Sequence, residues 1–312
     1  LCSLAALRRW VQKFEQKRQQ LEQQQSPSQT PMPPQQQQQH EAGSKLQTSA
    51  QQSAASGQAS VPALQPVPWL RVMLQLLQLA VAVAALILWP ASLYRTGLHS
   101  GKVWLLFWTY CLFFGGGSVL RLLRYGPLAS RKQDKQAKSW RTRAAWLLFV
   151  AMMPVLHWGA LGSYMRQKAA AAQAAAEAAA AAASTSQIPV ATGSFALYDV
   201  VGLCLLIGAV GLNWAAARHL GRAYDRVVQP EALVTIGPYA FVQHPIYTSY
   251  MLLLCGYAML LHSFGYAVLA LVVCCVYYRS RVGLESDVLQ QAFGERYTQY
   301  QQATKLFVPF VL

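Results

Sequence analysis

Long apolar runs separated by polar connections dominate the chain from about residue 70 onward. The first, Val72 to Tyr94, contains no charged residue and meets the roughly 20 residues a helix needs to span a bilayer. The second, Val103 to Leu120, carries Gly115, Gly116 and Gly117, which let another backbone approach closely and so predict a packing face. The third, Ala144 to Met165, holds His157, read as a packed or interface residue because nothing chemical lies near it in sequence. The fourth runs from Val200 to Ala217. From Ile246 to Tyr278 there is no Asp, Glu, Lys or Arg. As one helix that stretch would measure about 50 Å against a hydrocarbon core of about 30 Å, so it predicts two spans turning near His262, Ser263, Phe264 and Gly265. The pattern gives an all-α, polytopic integral membrane protein of about six transmembrane helices, including a C-terminal helical hairpin followed by a cytosolic amphipathic helix.

Outside the spans the pattern fades. Residues 1–67 are rich in Gln, Ser and Pro, with the run Gln35 to Gln39, and read as a disordered tail. The chain opens on Leu1 rather than Met, so it reads as a piece of a longer protein, which leaves room for an organelle-targeting peptide upstream. Ala169 to Ser184 is strongly helix-forming yet has no sided apolar pattern, and is expected to be a low-complexity insertion in a loop. The expected organisation is a tail over 1–67, N-terminal transmembrane helices over 68–165, an Ala-rich insertion over 166–195 and a second membrane domain over 196–312.

Composition agrees and charge adds an orientation. The chain is 54% hydrophobic and 12% charged, about half the charge density of a soluble globular domain. Its 26 Lys and Arg against 11 Asp and Glu give a net charge of +15. These basic residues gather beside apolar spans, which reads as topology signal and contact with anionic lipid rather than with nucleic acid. The connection after the second span holds Arg121, Arg124, Arg131, Lys132, Lys135, Lys138, Arg141 and Arg143 against Asp134, and is expected to face the cytosol. The segments Arg218 to His244 and Arg279 to Leu312 then share that side. Cys111, Cys204, Cys255, Cys274 and Cys275 lie inside apolar runs, and no Cys/His spacing suggests a metal site.

Polar chemistry collects in those two segments. In Leu233 to Tyr250, Gly237 and Pro238 mark a turn, and His244-Pro245 precedes an apolar helix. Proline in the first helical turn leaves the N–H groups of Ile246 to Thr248 at a positive helix end, which suits an anion. His244, Tyr239 and Tyr247 set an imidazole and two phenols at that mouth; read blandly, they are a capped helix start with interfacial aromatics. In the second segment Arg281 and Glu285 are four residues apart, hence on one helix face, with Val282, Val288, Leu289 and Phe293 on the apolar side. An intrahelical ion pair is the bland reading there.

The ordered set GPYxxxxHPxYxxY, an uncharged hairpin, RxxxE, FGxxYxxY and a terminal VPF resembles the isoprenylcysteine carboxyl methyltransferase family, with kinship to the phospholipid methyltransferases. The resemblance covers roughly Leu220 to Leu312. It implies a catalytic membrane domain using S-adenosylmethionine, at the endoplasmic reticulum or alternatively a plastid membrane, acting on a lipid-modified (prenylcysteine) protein or a lipid. By position, Gly237, Pro238, Tyr239, His244, Pro245 and Tyr247 match the first cofactor segment, and Arg281 and Glu285 match the Arg/Glu pair of the last helix, with Glu285 also toward the cofactor. On this reading Arg281 holds the acceptor carboxylate.

Two positions depart from the family pattern. Gln243 stands where the family usually has Arg, which removes a bidentate anion clamp, and Ser286 follows Glu285 where many members have a second Glu. Carboxylate recognition is therefore expected to differ. The leading expectation is methyl esterification of a prenylated cysteine. Alternatives are methylation of a phospholipid or other lipid amine, a sterol-reductase-like NADPH oxidoreductase, and a non-catalytic membrane scaffold.

Overall fold

The computed structural model describes residues 69–117, 119, 140–183, 197–220 and 232–307. The Gln-rich tail, the basic residues from Arg121 to Lys138, and Pro309 and Phe310 of the terminal motif lie outside the described residues.

Helix α1 runs Trp69–Val83 and continues through a wider π-helical stretch, Ala84–Leu88, into Trp89–Ser92. Helix α2, Gly101–Cys111, continues likewise through Leu112–Gly116. Then come α3, Trp140–Ala183, and α4, Leu197–Leu220. A short 3-10 turn, Gly237–Ala240, leads to α5, Pro245–Leu260, then α6, Phe264–Phe293, and α7, Glu295–Ala303. The described residues form helices and one isolated β-bridge.

Four segments, Val72–Ser92, Thr142–Ala181, Leu197–Leu220 and Phe264–Phe293, are long and apolar enough to cross a membrane. Helix α5 is a shorter apolar helix. Large apolar side chains such as Leu77, Val81, Leu147, Ile207, Val272 and Val276 are exposed, a surface that lipid covers and water would not. The expectation of an all-α integral membrane protein is met.

The core forms where the helices face each other. Ile87, Leu106, Tyr110, Leu161, Leu206, Leu253 and Tyr257 share one buried cluster drawn from α1 through α5. Helix α4 lies so close to α5 that a Cβ on Gly202 would come within 2.6 Å of the Leu260 amide nitrogen, so only glycine fits there. The glycines of α2 do serve packing: a Cβ on Gly116 would sit 2.6 Å from the Trp214 ring. His157 is buried, with Nδ1 2.7 Å from the Met153 carbonyl and Nε2 2.8 Å from the Tyr110 hydroxyl. A carbonyl only accepts, so Nδ1 carries the proton and Nε2 accepts from Tyr110. The imidazole is satisfied inside the core, as its isolation in sequence predicts.

Two expectations need correction. The Ala-rich stretch does not leave α3 as a loop: the helix continues through it to Ala183. Alanine has the highest helix propensity, and a helix already nucleated in the apolar segment propagates through it even where its side chains are exposed. The hairpin turn falls at Leu261–Ser263 as expected, but the second leg and the amphipathic segment are one continuous helix, α6, about 45 Å long. Only at Gly294, whose φ of 53° suits glycine, does the chain break into α7.

Candidate active site

Pro245 opens α5 with His244 as its N-cap residue. Proline brings no N–H, and its fixed φ is already helical, so the helix starts here at little cost. The Thr248 amide, expected to point free, bonds back to the His244 carbonyl at 3.1 Å. The open end of the helix is therefore shorter than the proline spacing predicts.

Around this end four of the sequence-predicted residues meet. Glu285 of α6 is their hub. The Tyr247 hydroxyl donates to Glu285 Oε1, His244 Nδ1 lies 3.5 Å from Oε2, and an Arg281 guanidinium nitrogen lies 3.9 Å from Oε1. The side chains of Glu285, His244 and Arg281 are 17%, 10% and 25% exposed, so the group is half-sheltered rather than sealed. A carboxylate in such a place needs cationic or donor neighbours, and it has three.

Aromatic faces wall the hub. The Tyr247 ring stacks on Tyr278 at 4.5 Å and on the His244 ring at 5.4 Å, with Phe307 6.4 Å from His244. Tyr278 was not singled out in the sequence. It lies three residues before Arg281 and seven before Glu285, the spacing of one helix face, but at the end of an apolar run it reads as an interfacial aromatic.

Gly237, Pro238 and Tyr239 form the turn beneath. Gly237 has a φ of 62°, and a Cβ there would strike the His219 ring at 2.5 Å. The Tyr239 ring packs with Ala216 and Ile246, and its carbonyl accepts from the Tyr300 hydroxyl at 2.8 Å. These three residues are tied to α4 and α7 and shape the floor rather than joining the carboxylate cluster. Burial pushes the Tyr300 phenol well above its ordinary range, and Tyr297, beside Ser286 at 3.0 Å, is raised for the same reason. Both stay neutral at physiological pH.

Gln243 does not face the carboxylate cluster as an anion clamp. Its side-chain amide donates to the Gln301 and Thr304 carbonyls at 3.2 and 3.1 Å. The backbone continues the tie: Gln243 N donates to Lys305 O and His244 N to Leu306 O, a parallel bridge between Val242 and Lys305. Nothing in the sequence announced this pairing.

A second polar cluster also went unnoticed. At the far end of α5, Lys102 Nζ pairs with Asp199 Oδ1 and donates to Leu260 O at 3.2 Å, while His262 Nε2 lies 2.8 Å from Asp199 Oδ1 and 2.9 Å from Lys102 Nζ.

The family-model match covers much of the part of the chain that builds this cluster. Residues 197–296 match the family model described as Phospholipid methyltransferase. The Protein-S-isoprenylcysteine O-methyltransferase of Schizosaccharomyces pombe is 28% identical over 122 residues, which is 38% of this chain and 52% of the relative. Protein-S-isoprenylcysteine O-methyltransferase B of Arabidopsis thaliana is 29% identical over 115 residues, 35% of this chain and 58% of the relative. The chain thus spans about half the length of the curated relatives it matches. Among solved structures, the eukaryotic intramembrane Ras methyltransferase ICMT is 17% identical and covers 77% of this chain and 86% of its own, with a TM-score of 0.35. The resemblance expected from the motifs holds: the chain is similar to isoprenylcysteine methyltransferases, and residues 197–296 match the phospholipid methyltransferase family model.

Proposed function

We propose that the chain is an S-adenosylmethionine-dependent membrane methyltransferase that esterifies the C-terminal carboxylate of a prenylated cysteine, at the endoplasmic reticulum or a plastid membrane. The carrying observation is the meeting of His244, Tyr247, Arg281 and Glu285 around one carboxylate at the start of α5. The domain division proposed with it places the catalytic part in residues 196–312, after N-terminal spans over 68–165.

The residues present fit the cofactor. S-adenosylmethionine supplies an activated methyl group on a cationic sulfur. Glu285 offers carboxylate oxygens to hydroxyl or amino donors, and the stacked Tyr247 and Tyr278 rings wall that side from water. His244, Pro245 and the α5 end lie beside them, and Gly237, Pro238 and Tyr239 set the floor. Arg281, held loosely by Glu285, is placed to turn its fork to an acceptor carboxylate. An ionised carboxylate attacks without losing a proton, so the residues need only align it, hold its charge and exclude water.

One observation favours a second reading. The matching family model is described as Phospholipid methyltransferase, and Gln243 is engaged with backbone carbonyls, so a lipid amine is the alternative acceptor. Membranes carrying the full chain, labelled S-adenosylmethionine and a farnesylcysteine analogue separate the two. A base-labile ester formed by the wild type and lost in Glu285→Ala and Arg281→Ala is the expected result. Label appearing in phospholipid, insensitive to Arg281→Ala, would favour the amine; no cofactor binding at all would return the reductase and scaffold readings.

A further inference from the structure

We propose that Gln243 is a positioning residue: it clasps the segment Thr304–Phe307 as a strap against the start of α5, and through that strap sets His244 toward Glu285. This rests on the reading of the site as a cofactor pocket. The chain leaves α7 extended at Thr304, and the last carbonyls of a helix lack partners of their own. Gln243 Nε2 supplies donors to two carbonyls here, those of Gln301 and Thr304. The next two carbonyls, of Lys305 and Leu306, accept from the backbone amides of Gln243 and His244. Phe307 completes the strap: its carbonyl accepts from Thr248 Oγ1 at 2.6 Å, and its buried ring lies beside the His244 imidazole.

His244 is thus fixed from both sides, by Pro245 in the helix and by Leu306 on the strap, in a backbone conformation (φ −127°, ψ 63°) outside the regular helix and strand regions. Its ring then lies against Tyr247, with Nδ1 3.5 Å from Glu285 and the Phe307 ring beside it. Releasing the strap frees the His244 backbone amide and uncovers the ring. A neutral amide suits position 243 because its Nε2 donates to two carbonyl oxygens; a carboxylate of the same size has no N–H and would repel them.

Gln243→Glu in the full chain, in membranes, tests this. The protease Lys-C reads the strap at the bond after Lys305, whose side chain is exposed. Two lost hydrogen bonds of ordinary net strength predict cleavage there on the order of tenfold faster than in the wild type. The KM for S-adenosylmethionine should rise by about the same factor while kcat changes less than about threefold, because saturating cofactor closes the strap again. Thr248→Val, which removes the tie to Phe307, should shift both readouts in the same direction by a smaller factor, and it serves if Gln243→Glu fails to fold. A purely structural role would lower thermal stability without separating KM from kcat. Unchanged cleavage at Lys305 overturns the clasp, and faster cleavage with an unaltered KM overturns the positioning. If the wild type takes no S-adenosylmethionine the proposed function falls, and the cleavage comparison still decides whether Gln243 holds the strap.

Discussion

The two ends of α5, about 24 Å apart, each carry a carboxylate with a histidine and a basic side chain, and they are built for different tasks. At the far end Asp199 draws in Lys102 and His262, and Lys102 reaches on to the Leu260 carbonyl. These groups come from the starts of α2 and α4 and from the α5–α6 turn, and Ser263 Oγ adds a bond to Ala160 of α3. These partners are close, and the bonds from Lys102, His262 and Ser263 to Asp199, Leu260 and Ala160 tie one element to another. At the near end the Tyr247 hydroxyl donates to Glu285, while His244 and Arg281 approach it at 3.5 and 3.9 Å. Similar chemistry, drawn tight, makes a knot; spaced more widely, it is the arrangement on which the proposed cofactor site rests.

Substitutions sharpen that contrast. Glu285→Gln keeps the shape and removes the charge, so cofactor binding should weaken on the order of a hundredfold by isothermal titration, with little change in melting temperature. A large fall in melting temperature with retained binding would make Glu285 a structural residue instead. Asp199→Ala should do the reverse: stability falls by about 1–3 kcal/mol in a denaturation series, while methyl transfer per folded molecule stays within about twofold. Loss of activity at unchanged stability would break the comparison. The smallest effect concerns His262, which holds a φ of 53° that a side chain disfavours. His262→Gly and His262→Ala both lose the contact to Asp199, but glycine also relieves the backbone, so the glycine variant should be the more stable by about 1 kcal/mol. Equal melting temperatures would show that the turn carries no such strain.

Much of this was legible in the sequence, for identifiable reasons. The apolar runs located the long spans because a bilayer demands uninterrupted length, and the uncharged stretch after Ile246 had to fold back because one helix would overshoot the hydrocarbon. His244, Tyr247, Arg281 and Glu285 could be named because spacing puts the last two on one helix face and the hairpin returns them to the first two. Tyr278 was hidden by its apolar neighbours, since an aromatic at a span end looks the same whether it faces headgroups or a site. Lys102, Asp199 and His262 each look like a lone polar residue near a span boundary, and only the packing of α2, α4 and the turn brings them together. The pairing of Val242 with Lys305 joins distant parts of the chain through backbone atoms, and backbone bonds leave no periodic trace in side chains. Gln243 was read for the arginine it is not; its actual partners are carbonyls that any residue could supply.

The tight turn at Leu261–Ser263 gives the α5–α6 hairpin the mechanics of a pair of tongs. Its pivot is riveted by Lys102, His262 and Ser263, while its arms end at His244 and Tyr247 on one side and Arg281 and Glu285 on the other. A rotation of about 5° at the pivot opens the tips by roughly 2 Å over an arm of about 24 Å. That is enough to part His244 from Glu285 while the rivets barely shift. In the enzyme proposed above, leverage of this kind would adjust the grip on the cofactor by a small rotation at the distant turn.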